Sequence, residues 1–149
     1  MPETIEFTLD KFTFRVATDR LYSSEGIWAK IEPQGVRIGL SDFVQQRSGD
    51  VAFAEVKPVG TGLNIGDEVA VIETIKVDIN LGAPLSGKII SVNPDMDTAP
   101  EAINQDPYGS GWLAVIEPAD WEGDRLQLLE PQAYLEKMKI QAEQEVKKG

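Results

Sequence analysis

The chain has 149 residues, 42% hydrophobic and 26% charged, which suits one compact domain with a single core and not a multidomain enzyme. Its 14 Lys and Arg against 25 Asp and Glu leave a formal charge of −11, a surface that repels phosphate backbones and anionic lipid heads and favours basic docking partners. Cys and His are both absent, so disulfides, thiolate metal sites, thiol nucleophiles and the commonest general base are excluded; catalysis by the chain's own side chains is not expected.

In chain order, the start "MPETIEFTLDKF" has neither a basic signal-like region nor the Arg-rich, acid-poor character of a transit peptide, and the cytoplasm is the expected location. Residues 1–20 alternate Phe7, Leu9, Phe12, Phe14 and Val16 with polar neighbours, which predicts one or two extra strands packed on the main body. Three Phe in eight residues is not the composition of a disordered tail. Strand-length β-branched or aromatic runs follow at 27–32, 35–40, 50–56, 67–75, 87–92 and 111–118, separated by "EPQG", "KPVGTGLNIG", "LGAPLSG" and "DPYGSG". Those separators turn because Pro presets φ and Gly supplies positive φ. Short helices are expected at 42–49 and 99–104. From Pro131, Tyr134, Leu135, Met138, Ala142 and Val146 fall at helical spacings, predicting a terminal amphipathic helix packed on the body. The pattern is that of a small antiparallel barrel or sandwich over residues 21–130, with an N-terminal extension at 1–20 and a helical tail at 131–149.

One charge interrupts this pattern. In "VIETIKVDINLGAPLSGKII", Lys76 stands between Ile75 and Val77, with strand-like runs on both sides. A hairpin with Lys76 at or beside its tip is the simplest geometry, and a turn without Gly or Asn-Gly suits a type I turn. An exposed lysine amine is protonated at neutral pH and is no spontaneous nucleophile, so an enzyme would have to align and deprotonate it. Spacing alone leaves a solvated surface lysine as the other reading. The clustered carboxylates Asp67, Glu68, Glu73 and Asp78 lack a partner base or metal-ligand pattern and read as a solvated, partner-facing rim; no catalytic or metal residue is assigned.

Over roughly residues 21–135 the chain resembles the glycine cleavage system H protein and its lipoate-binding relatives. "ETIKV" is similar to that family's Glu-Ser-Val-Lys-Ala lipoylation site, "LGAPLSGKIISVN" to its Ser-Pro-Val-Ser-Gly strand, and "INQDPYGSGWL" to its Asn-x-Asp-Pro-Tyr-Gly-x-Gly-Trp-Leu segment; "GLSDFVQQRSGDVAFAEVKPVG" also looks like the family's stretch leading into the same strand. The resemblance implies a mainly β barrel-sandwich hybrid, the flattened antiparallel barrel of lipoyl and biotinyl domains, with short helices and a C-terminal helix. It further implies lipoic acid amide-linked to Lys76, with Glu73, Thr74 and Ile75 presenting the hairpin to the lipoylating enzyme. Such an arm carries a thio-linked group between enzymes, and tethering makes the second encounter local. A chain without Cys cannot trap it as a mixed disulfide.

The resemblance is incomplete. Where the family begins its barrel with His-Glu-Trp, this chain has "SSEGIWAKIE", and Val77-Asp78-Ile79-Asn80 replaces the Ala and polar pair that usually follow the lysine. The "GIWAKIE" start and the "ETIKV" hairpin resemble a branch of lipoate-binding proteins tied to a heterodisulfide-reductase-like sulfur-oxidising complex. Sulfur carriage is therefore the expected role, with aminomethyl carriage in glycine cleavage as the alternative and an unmodified docking scaffold as a third reading. The implied partners are a lipoate ligase or lipoyl-transfer enzymes, the heterodisulfide-reductase-like complex or glycine cleavage enzymes, and dihydrolipoamide dehydrogenase. A biotin carrier usually places its lysine between two Met, and the Met here are Met1, Met96 and Met138.

Overall fold

The computed structural model describes residues 2–148. Strands β1 (Thr4–Leu9) and β2 (Phe12–Ala17) open the chain, followed by β3 (Leu21–Tyr22), β4 (Ile27–Glu32), β5 (Gly35–Leu40), helix α1 (Asp42–Ser48) and β6 (Val51–Val56). Next come β7 (Gly62–Leu63), β8 (Glu68–Thr74), β9 (Asp78–Gly82), β10 (Gly87–Val92), the short helices α2 (Asp95–Thr98) and α3 (Ala102–Gln105), β11 (Ala114–Pro118), α4 (Trp121–Asp124), a 3-10 turn at Arg125–Gln127, and α5 (Pro131–Lys148).

Three antiparallel sheets result: β3-β4-β5-β11-β10-β7, β6-β8-β9, and the separate hairpin β1-β2. In the first, β4 pairs with β5 from Ile27 opposite Leu40 to Glu32 opposite Gly35, and β5 in turn pairs with β11. Lying between two strands, β5 is buried at five of six positions, so its apolar run is nearly continuous rather than alternating. The β6-β8-β9 sheet turns Val69, Ile72 and Leu81 inward and leaves Phe53 and Glu73 outside. Trp28, Ile38, Ile72, Ile89, Ile103 and Ile116 are fully buried in one core, each aliphatic side chain contributing about 1.5–3 kcal/mol by leaving water.

The runs expected at 27–32, 35–40 and 87–92 form strands over those residues. The last strand begins at Ala114 instead of 111. Gly111 N–H is bound to the Asp106 carbonyl at 2.9 Å, and a Cβ at Gly111 would lie 2.5 Å from the Ala102 carbonyl oxygen, so this glycine closes a turn. The helix expected at 99–104 runs instead from Ala102 to Gln105.

The N-terminal strands form a hairpin that joins neither larger sheet and packs on α1 and α5. A lone two-stranded hairpin is marginal in water. This one is anchored by Phe14 and Val16, by the Phe14 ring edge-on to Phe43 at 5.2 Å, and by the Arg15 N–H donating to Asp42 at 2.9 Å. The buried face of α5 carries Tyr134, Leu135, Met138 and Ala142; Val146, expected on the same stripe, is half exposed. Tyr134 stacks on Tyr22 at 4.5 Å, and its hydroxyl shares a 2.7 Å hydrogen bond with Ser41, the N-cap of α1. Among the described residues no helix is long and apolar enough to cross a membrane.

Candidate functional site

Lys76 sits at the tip of the β8-β9 hairpin, where Glu73 faces Asp78 and the chain reverses through Thr74-Ile75-Lys76-Val77. Neither Ile75 nor Lys76 takes positive φ, so this is not one of the glycine-favouring hairpin turns. Thr74 closes it. Its N–H donates to the Val77 carbonyl at 2.9 Å, and its hydroxyl donates to the same carbonyl at 2.8 Å while accepting from the Lys76 and Val77 N–H groups at 3.2 and 3.0 Å. A hydroxyl has one proton and two lone pairs, and here all three are engaged within the turn. Thr74, expected as an enzyme-recognition residue, has its hydroxyl occupied in holding the turn.

The tip is braced from below. Ile75 N–H donates to the Asp50 carbonyl at 3.1 Å, which ties the hairpin to the link between α1 and β6. That link is held by Asn104, whose amide donates to the Gly49 carbonyl at 3.0 Å and to Gln45 at 3.1 Å, and whose side-chain oxygen accepts from Val51 N–H at 2.9 Å. Gly49 has φ 86, a conformation that favours glycine, and a Cβ there would lie 3.6 Å from Cδ and Cε of Lys76. The stem of Lys76 therefore runs past Gly49. Neither Asn104 nor Gly49 was expected to act here; the signal was their membership of the quoted "INQDPYGSGWL" and "GLSDFVQQRSGDVAFAEVKPVG".

The rest of that segment ties the N-terminal residues to the body. The Pro107 carbonyl accepts from the Trp28 indole N–H at 2.9 Å, the Tyr108 carbonyl accepts from Arg20 at 3.0 Å, and the Tyr108 hydroxyl donates to the Arg15 carbonyl at 2.6 Å. Arg20 lies over the Trp28 ring at 4.5 Å.

Glu73, Ile75 and Lys76 are exposed, Ile75 to 72%, and Thr74 is partly covered. No salt bridge among the described residues involves Lys76, whereas Lys30 and Lys57 lie 3.4 and 3.3 Å from Asp19 and Glu68. Away from the hairpin, burial pushes the Tyr134 hydroxyl up to about 12, opposed by its Ser41 hydrogen bond. At Asp19 burial pulls upward, but the Arg20 hydrogen bond and the Arg20 and Lys30 charges outweigh it and hold the carboxyl below its usual range. Among the described residues no group of three or more His, Cys, Asp or Glu is placed to hold a metal ion. The chemistry on offer is a reachable primary amine on a rigid turn, able to form an amide with a carboxylic acid and present it clear of the surface.

Comparison with known proteins matches the Glycine cleavage H-protein family model to residues 20–141. A glycine cleavage system H protein of Oceanobacillus iheyensis is 40% identical over 116 residues, covering 78% of this chain and 91% of the relative. One from Thermus thermophilus is 37% identical over 127 residues, covering 85% and 98%. The crystal structure of a glycine cleavage system H protein from Mycobacterium marinum superposes with a TM-score of 0.72 at 30% identity, covering 80% of this chain and 95% of that one.

Proposed function

We propose that this chain, which belongs to the glycine cleavage H-protein family, bears lipoic acid in amide linkage on Lys76 and carries the aminomethyl group between the enzymes of glycine cleavage. Proteins of this family carry lipoic acid on a lysine and are non-catalytic carriers. The observation that carries the assignment is the placement of Lys76: an exposed amine in no salt bridge among the described residues, on a turn whose backbone is tied by Thr74 and braced through Asp50. When bound, the lipoyl group supplies a dithiolane that opens to take its cargo on sulfur.

The protein's part is presentation. Acylation removes the charge of Lys76, Gly49 leaves room beside the lysine stem, and the rigid turn holds the point of attachment while the arm beyond it moves. Glu73 and Ile75, both exposed beside the lysine, form the contact for a lipoate ligase or lipoyl-transfer enzyme. The acidic surface suits basic docking faces on glycine cleavage partners, and reoxidation of the reduced arm is a task for dihydrolipoamide dehydrogenase.

The relatives favour aminomethyl carriage over the sulfur carriage expected from the resemblance of short motifs.

Protein expressed with lipoate and a lipoate ligase is expected to gain the mass of one lipoyl group, and Lys76→Ala none. An unchanged parent mass would overturn the carrier reading and leave an unmodified docking scaffold. Incubating the lipoylated protein with glycine and a glycine decarboxylase, and separately with inorganic sulfur donors, then distinguishes the cargo by mass. A sulfur adduct without a glycine-derived one would reverse the assignment.

A further inference from the structure

The N-terminal hairpin has one closed edge and one open edge. Along β2 the outward backbone groups are taken up by side chains of the body: the Thr13 carbonyl accepts from the Gln46 amide at 2.9 Å, the Arg15 N–H donates to Asp42 at 2.9 Å, and the Arg15 and Ala17 carbonyls accept from the Tyr108 and Tyr22 hydroxyls at 2.6 and 2.7 Å. Antiparallel pairs alternate, so Glu6, which faces Arg15, and its neighbours Thr4 and Thr8 turn their N–H and C=O groups to the outer edge of β1. Among the described residues those backbone groups have no hydrogen-bond partner, and all three residues are exposed. An open edge templates pairing with another chain and is usually blunted by Pro, Lys or a bulge. "TIEFTL" has none of these: its register with β2 is unbroken from Thr4 to Leu9, and its one charge, Glu6, lies 3.4 Å from Arg15. The hairpin lies outside residues 20–141, where the family model matches, so this edge belongs to the extension of this chain.

We propose that β1 pairs antiparallel with β1 of a second copy of this chain, joining the two hairpins into one four-stranded sheet. The occupant follows from the strand's complementarity to itself. A two-fold axis at Phe7 sets Phe7 opposite Phe7, Ile5 opposite Leu9 and Glu6 opposite Thr8, so apolar side chains meet on one face and each carboxylate meets a hydroxyl on the other. The neighbouring registers fail: an axis at Glu6 opposes two carboxylates, one at Thr8 opposes Glu6 to Asp10, and one at Ile5 sets Glu3 against Phe7. With the axis at Phe7, Glu6 and Thr8 become the hydrogen-bonded pairs, and theirs are the backbone groups that point outward. Ile5, Phe7 and Leu9, only partly buried against the core, gain cover from the partner, and the contact of Phe7 with Phe14 at 5.1 Å continues across the axis. Because the β2 edge is capped, pairing uses up the open edge of each hairpin and closes at two chains. The charge of −11 on each chain opposes the approach and is screened by salt.

The pairing does not depend on lipoylation of Lys76, and sedimentation equilibrium of the full chain tests it at about 0.3 M salt, which screens long-range repulsion between the acidic chains more than contacts across one strand pair. The weight-average mass should climb from that of one chain to that of two between about 10 μM and about 1 mM protein, the range for an interface below standard size. Thr8→Pro removes an outward N–H that has no partner within the chain, so it keeps the pairing of β1 with β2 and should stay at one chain throughout. Thr8→Glu sets a carboxylate against Glu6 at both symmetric contacts and should raise the dissociation constant about fivefold or more, whereas Thr8→Lys should lower it by a similar factor. Gln127→Glu and Gln127→Lys make the same changes in net charge at an exposed site outside the hairpin and should associate as the parent does. A parent that stays at one chain, a mass that climbs past two, Thr8→Pro associating like the parent, or Gln127 variants shifting as the Thr8 variants do would each overturn the proposal.

Discussion

Two hairpins of this protein each carry a lysine at the tip, and only one is built as a platform. Lys76 stands on β8-β9, whose turn is closed by the Thr74 hydroxyl, tied to Asp50 and braced through Asn104. Lys11 stands on β1-β2, where Leu9 faces Phe12 across a two-residue turn with Asp10 at φ 56, and the nearest side-chain hydrogen bond joins the Thr8 and Thr13 hydroxyls at 3.0 Å, one pair behind the turn. Hydrogen bonds around the tip position the first hairpin, whereas the second is positioned along its length, by aromatic packing and by hydrogen bonds at Arg15. A lysine at a hairpin tip is thus a common local feature. The surroundings that fix its backbone suit Lys76 to the attachment role proposed for it.

The sharpest test of this contrast is chemical. Lys11→Ala should keep the full lipoyl increment in intact mass and Lys76→Ala should lose all of it; a lipoyl group on Lys11 would break the comparison. Next in size, Phe14→Ala removes the ring that seats β1-β2 on α1 and should cost about 3–5 kcal/mol in urea unfolding, with the β8-β9 tip left intact. Alkali should act on the same side of the molecule. Tyr134 is protonated in the fold up to about 12 but ionises near 10 when unfolded, so its contribution is complete below about pH 10 and falls as pH rises through 12. The loss approaches about 2–3 kcal/mol, at about 1.4 per pH unit, and a thermal-melt series across that window measures it.

Asn104→Ala should cost about 1–3 kcal/mol by leaving Val51 N–H and the Gly49 carbonyl without their partner. It should also slow lipoylation, because the brace under Ile75 loosens. Smallest in stability are the changes at the tip itself. Thr74→Val should cost about 1 kcal/mol and lower the lipoylation rate, whereas Glu73→Gln should stay within about 0.5 kcal/mol and lower the rate alone. Equal rates for Glu73→Gln and parent would show that the modifying enzyme does not read this carboxylate.

Much of this was legible in order. Strand-length runs rich in β-branched or aromatic residues, bounded by turn-forming Gly and Pro, located β4, β5 and β10, because the composition marks the strand and the turn residues mark its ends. The two-residue strands β3 and β7 were missed, since they exist through pairing with β4 and β10 and have no period of their own. The place of Lys76 at a hairpin tip was legible from the strand-like runs on either side of it, but the bond pattern of Thr74 was not: a threonine beside a turn can face solvent, a partner or its own backbone.

By itself the sequence determined a β-rich single domain, an acidic surface free of Cys and His, and a lysine between two strand-forming runs. These follow from composition and short-range pattern, where burial and backbone preference act residue by residue. Tertiary structure alone decided that Asn104, 28 positions after Lys76, braces the segment beneath it, and that phenylalanines near the N-terminus meet Phe43 and α5 in one groove beside the lysine. Contacts across such separations depend on how three sheets and a helix pack together, and no local spacing encodes that.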